Sequence, residues 1–146
     1  MPGTLTHSPA DIIRNILINE GVGTDPSDSG SWPIFASSKP DEPENLIASI
    51  DSRGDDQGYT MNDGEVQEKE GVTIWVRGTD HQTAYNKAKS IADTLDGLYQ
   101  YIVTISGTSY LVHCVARQDN PLTPKKELNS ERNVFEFGNL VTVRQR

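Results

Sequence analysis

Residues 71–98 read Gly71-Val72-Thr73-Ile74-Trp75-Val76-Arg77-Gly78, then Thr79-Asp80-His81-Gln82-Thr83-Ala84-Tyr85-Asn86-Lys87-Ala88-Lys89-Ser90-Ile91-Ala92-Asp93-Thr94-Leu95-Asp96-Gly97-Leu98. Val72, Ile74 and Val76 alternate with Thr73, Trp75 and Arg77, the period of a strand with one face on a core. Gly78 breaks that strand, Thr79 and Gln82 have the spacing of a capping box, and Ala84, Ala88, Ile91, Ala92 and Leu95 recur at helical spacing. The stretch is a strand feeding a helix. Small residues in the first half of the stripe let the helix lie close to a sheet. Ile91, Leu95 and Leu98 then fill the gap, each worth roughly 1.5–3 kcal/mol on burial, and Gly97 suits the terminus.

Working outward, Ser8-Pro9-Ala10-Asp11 opens a first helix over about Pro9 to Glu20, with Ser8 as cap, Pro9 in the first turn and Ile12, Ile13, Ile16 and Leu17 as the buried stripe. Residues 22–31 read as a surface loop. Trp32 to Ser37 and Leu46 to Asp51 read as short strands, and Ser52 to Lys69, almost without apolar residues, reads as a long loop that contacts something else. Tyr99 to Ile105 and Tyr110 to Arg117 flank the hairpin signal Ser106-Gly107-Thr108-Ser109. Asp119 to Arg132 reads as a loop, and Asn133 to Arg144 as a last strand with a bulge near Gly138-Asn139. The fold class is α+β: a mixed, mainly antiparallel sheet with two helices packed on one face and long acidic loops, one domain over residues 1–146.

Composition narrows the function. The net charge is −8, and residues 20–70 hold thirteen acids against Lys39, Arg53 and Lys69, so that segment carries −10 and the remainder +2. Such a chain lacks the basic footprint of a static duplex-DNA binder. Hydrophobic content of 34% suggests long loops or a core completed by a partner. Neither a membrane span nor an export signal is legible. Cys114, in an alternating strand, reads as a small buried hydrophobe.

Candidate chemistry is sparse. Asp51-Ser52-Arg53-Gly54-Asp55-Asp56 offers hard oxygen donors but lacks the spacing of a calcium loop, and its Arg-Gly-Asp tripeptide is too short to weigh. His7, His81 and His113 lack the spacing of zinc ligands, and His113 and Cys114, as strand neighbours, point apart. No phosphate loop or nucleophile elbow is present, so the reading is non-enzymatic, with no catalytic residue, cofactor or metal. The surfaces that remain are the loop acids Asp51, Asp55, Asp56, Asp63, Glu65 and Glu68, with Arg53 among them, and the strand pair Trp75 and Arg77. A Trp in such a strand is more often core, yet this pair could present the exposed aromatic and Arg stripe that interfaces enrich.

Three stretches together resemble the tail-terminator proteins of long-tailed bacteriophages, also labelled minor capsid or tail-completion proteins. They are Trp32-Pro33-Ile34-Phe35 leading through Pro40-Asp41-Glu42-Pro43-Glu44-Asn45-Leu46-Ile47-Ala48 to Asp51, then Val72 to Gly78, then the helix from Tyr85 towards Leu98. The resemblance implies a structural virion protein at the head-proximal end of the tail, assembled in the host cytoplasm. It further implies a homo-oligomeric ring, a hexamer being expected, that terminates the tail tube and provides the surface for joining the head. Its partners would be copies of itself, the tail tube protein, the head-tail connector protein and DNA passing through the lumen, with no membrane. The acidic loops, including Asp51, Arg53, Asp55, Asp56, Asp63, Glu65 and Glu68, would line the lumen or an interface, and Trp75 and Arg77 an interface strand. A head-tail connector or stopper, and a monomeric ligand-binding or enzymatic α+β domain, stand as alternatives.

Overall fold

The computed structural model describes residues 6–25, 32–36, 45–59, 66–117, 123–126 and 133–145, with the backbone alone described at 52–59, 66–69, 117, 123–126, 133 and 145. In chain order the elements are α1 (Pro9–Asn19), β1 (Ile34–Ala36), β2 (Leu46–Tyr59), β3 (Val66–Gly78), α2 (His81–Asp96), β4 (Tyr99–Ile105), β5 (Thr108–Arg117), β6 (Thr123–Lys126) and β7 (Asn133–Gln145). They build a seven-stranded sheet in the order β1-β2-β3-β7-β5-β4, with β6 pairing β7 beside that path. The β1–β2 pair is parallel and the other pairs are antiparallel.

Helix α1 begins as its sequence dictates: the Ser8 side chain accepts from the Asp11 N–H at 3.3 Å, and Pro9 occupies the first turn, where its missing N–H leaves no bond unmade. The start of α2 differs from the expected box. Asp80 is the N-cap, its carboxylate accepting from Thr83 N–H at 3.1 Å, while Gln82 reaches forward to Asn86 and the Thr79 N–H goes to Asn45 Oδ1. An ionised carboxylate at the positive end of a helix is the stronger acceptor, and it displaces Thr79 from that role. Between β3 and α2 the chain turns so tightly that a side chain on Gly78 would meet Ala84 Cβ at 3.1 Å.

Both helices pack on one face of the sheet, α2 over β3, β5 and β7. Helix α1 touches β1, β2 and β3 and also β4, strands from both borders, so the sheet curls around it. The main core forms there: Ile12, Ile13, Ile16 and Leu17 of α1 and Ala84, Ala88, Ile91 and Leu95 of α2 meet Val72, Ile74, Val76, Phe135, Phe137, Val141 and Val143. On the other face a second, smaller cluster joins Leu46, Ala48, Trp75 and Val134, with Phe35 and Ile50 packed against it.

Three expectations are corrected. The stretch Ser52 to Lys69 is not one loop, since β2 runs on to Tyr59 and β3 starts at Val66; residues 60–65 lie outside the described residues. Strand pairing there rests on main-chain hydrogen bonds and passes through two register shifts, which leaves no apolar alternation to read. The stretch Asp119 to Arg132 contains β6, again paired through backbone against Asn133–Glu136. The expected bulge in β7 is absent from its pairing with β3, which keeps one register from Asn133 to Val143. The irregularity sits in β5, between Val112 and Cys114.

That shift overturns the expectation for Cys114. Tyr110 and Val112 face the core, the extra residue breaks the alternation, and Val115 takes the next inward position while Cys114 is exposed.

Candidate assembly surfaces

The acidic surface begins at Asp51. Its backbone pairs with Val72, and its carboxylate Oδ1 accepts the Ala10 N–H at 2.8 Å, while Ser49 Oγ, two residues back on the same side of β2, donates to Ala10 O at 2.9 Å. Asp51 therefore anchors the first turn of α1. Beyond it Arg53, Asp55 and Asp56 lie in the extension of β2, where Asp55 is opposite Lys69 and Asp56 opposite Glu68 of β3. The hairpin brings four of the seven named residues onto one two-stranded extension; Asp63 and Glu65 lie outside the described residues.

Trp75 and Arg77 do not form an exposed stripe. Trp75 is 5% and Arg77 1% exposed, and the Arg77 guanidinium lies over the Trp75 ring at 5.5 Å. The polar half of the β3 alternation faces the smaller cluster between β2 and β7, so this strand is covered on both faces. A central strand with neighbours on both edges and a cluster on each face has no room for an open side.

The segment entering β1 is fastened from several directions. Thr24 N–H donates to Trp32 O at 3.1 Å and Ile34 N–H to Thr24 O at 2.9 Å, while Arg14 Nε donates to Ile34 O at 2.8 Å and its guanidinium pairs with Asp25 at 3.4 Å. Lys87 donates to Val22 O at 3.0 Å and lies over the half-buried Trp32 ring, and burial lowers its pKa below the ordinary 10.5. Trp32 takes a positive φ of 59°, a conformation that side chains resist and that these contacts hold in place. Sequence reasoning missed this cluster because Arg14, Thr24, Lys87 and Trp32 are far apart in the chain.

Among the described residues no group of three His, Cys, Asp or Glu could hold a metal ion, and no helix is long and apolar enough to cross a membrane. The arrangement is one of strand edges, faces and charge.

Compared with known protein families, residues 16–137 match the family described as Bacteriophage tail terminator protein. The chain belongs to this family. The match runs from the last turn of α1 into β7 and so takes in α2 and strands β1 to β6. No curated protein matches the chain. As a tail terminator it is a structural component of the phage tail and works with other tail and head components. The hairpin acids and the Trp75–Arg77 pair thus belong to a structural protein of the phage tail.

Proposed function

We propose that this tail terminator closes into a homo-oligomeric ring, with a hexamer expected, at the head-proximal end of the tail. There it ends the tail tube and offers the surface to which the head-tail connector joins. The family match over residues 16–137 carries this reading. The modest apolar content of 34% supports it, because a subunit that completes itself against neighbours needs less core of its own. Assembly takes place in the host cytoplasm, before the DNA-filled head is attached.

The charge distribution supports a conduit. A segment carrying −10 over residues 20–70 repels phosphate, so DNA passes through the lumen without sticking. In this reading Arg53, Asp55, Asp56, Asp63, Glu65 and Glu68 line the lumen or an interface, whereas Asp51 is committed to α1.

Sizing the purified chain and locating it in tail particles by imaging with a labelled subunit tests the assignment. A ring at one tail end is expected. A ring at the head portal would indicate a connector, and a monomer that never joins tube protein would indicate a ligand-binding or enzymatic domain. Neutralising Asp55, Asp56 and Glu65 to Asn, Asn and Gln tests the conduit separately: rings still form and DNA ejection changes rate. An unchanged rate refutes the conduit.

A further inference from the structure

Residues 99–116, which span β4, its turn and nearly all of β5, contain no Asp, Glu, Lys or Arg, in a chain that is 23% charged. This hairpin forms one border of the sheet, with β4 paired, among the described residues, on one side only, to β5. Strand β4 reads Tyr-Gln-Tyr-Ile-Val-Thr-Ile, with neither proline nor charge to discourage pairing, and it carries the large exposed apolar residues Tyr99 and Ile102, 78% and 52% exposed. Soluble proteins guard border strands with Lys, Pro or bulges, since an unguarded one presents a row of free N–H and C=O groups to any other strand. Gln100 takes a positive φ of 51° and interrupts the regular edge near its start, but from Tyr101 to Ile105 the sequence supplies no such guard.

The other border is guarded at one end and open at the other. Strand β1 covers β2 only at Ile47, Ala48 and Ser49, and its own outer groups at Ile34 are taken by Thr24 O and Arg14 Nε. Beyond Ser49, β2 continues to Tyr59 with β3 on one side and, among the described residues, no strand on the other. Among the described residues, each chain therefore carries an open edge on β4 and one on the β2 extension, besides the short β6, whose Pro124, Lys125 and Lys126 are the residues that guard an edge.

Charge selects how they combine. Two β2 extensions would set Asp55 and Asp56 of one copy against the same residues of the other, and like charges across a ladder destabilise it. Uncharged β4 meets no such repulsion, and copies that each carry −8 repel one another least through a surface of this kind. A β4–β4 contact is self-complementary and closes at two copies, whereas β4 on the β2 extension is a head-to-tail contact that leaves one edge of each kind open for the next copy. A head-to-tail contact closes a ring when its rotation allows.

Resting on the ring reading above, we infer that successive copies join by main-chain pairing of β4 in one to the outer edge of β2 beyond Ser49 in the next. Ring closure then uses both of these edges, and the exposed Tyr99 and Ile102 become interface residues.

Cysteine cross-linking in purified tail particles tests the pairing. In a Cys114→Ser background, Ile102→Cys is combined with Asp55→Cys or, separately, with Asp56→Cys, one for each side of the ladder. Mild oxidation should give a series of linked species up to the ring size from at least one combination. Dimers from Ile102→Cys alone would overturn the inference in favour of β4 meeting β4. Intact rings without any linked series would overturn the pairing and leave the ring reading standing, whereas absence of rings in the unsubstituted particle would remove both. As a second variant, Ile102→Lys guards an exposed position, so the chain should keep its circular dichroism and melting behaviour while ring formation drops at least tenfold; rings formed as before would also overturn the inference.

Discussion

Asp51 Oδ1 accepts the backbone N–H of Ala10 at 2.8 Å, and this bond fixes the first turn of α1 against β2 across forty-one residues of sequence. The acceptor is a carboxylate and the donor belongs to the unpaired first turn of a helix, a pairing worth about 1.5–3 kcal/mol. Asp51→Ala should lower unfolding free energy by that order, and Asp51→Asn, which keeps an acceptor oxygen, should recover part of it. Urea denaturation of the three proteins measures the difference. Full stability in Asp51→Ala would show that the carboxylate serves a surface role alone.

Tyr110 is buried in the core, and its hydroxyl accepts the His7 N–H at 2.9 Å while bonding the His7 ring at Nδ1. Tyr110→Phe retains the ring and removes the partner of both groups. A loss of about 1–3 kcal/mol is expected from leaving these groups unmatched. Thermal melting checks it, and amide exchange should quicken at His7 before it does in α1.

Trp75 serves the fold in each copy, as its burial beside Leu46, Ala48 and Val134 requires. Trp75→Ala should cost about 3–5 kcal/mol, the scale of removing a buried aromatic. The loss should appear in the unfolding of dilute, unassembled protein. A variant that melts as the parent does but fails to assemble would restore the interface reading of this residue.

Ala88 is fully buried where α2 meets the sheet. Ala88→Leu adds volume to a closed contact and should cost about 1–3 kcal/mol. A chemical denaturation midpoint that does not move would mean that the helix can ride outward without penalty.

At alkaline pH two groups act in opposite directions. Burial, together with a hydrogen bond to Glu20 and its charge, holds the Tyr101 phenol above its ordinary 10.0. The unfolded chain then loses the proton first, so the stability from this group is complete below pH 10.0 and falls as pH rises through the folded value. Lys87 is held below 10.5 by burial, so its penalty is present while it is charged in both states and is relieved as pH rises from the folded value towards 10.5. Tyr101→Phe should therefore flatten the alkaline loss of stability. Lys87→Met should steepen it. Denaturation midpoints across the alkaline range, with tyrosinate absorbance followed in parallel, read both effects.

The sequence was most legible where one side chain in two meets a single core. Val72, Ile74 and Val76, the stripes of α1 and α2, and the turn at Ser106-Gly107, where both residues take positive φ of 49° and 85°, all appear where their spacing puts them. Legibility failed where pairing is made by backbone alone, as in the extensions of β2 and β3 and in β6. It failed again for Trp75 and Arg77, because alternation identifies a face without saying what will cover it. Of the candidate surfaces, the acids were legible by charge, while the bareness of the β4 border needed the strand order to be seen.

The shift at His113 has a practical outcome. By turning Cys114 outward it gives every copy a single accessible thiol, and the sequence contains no second one. A maleimide fluorophore can therefore be attached to the unaltered polypeptide at one known atom, and stepwise photobleaching of individual virions would count the subunits directly.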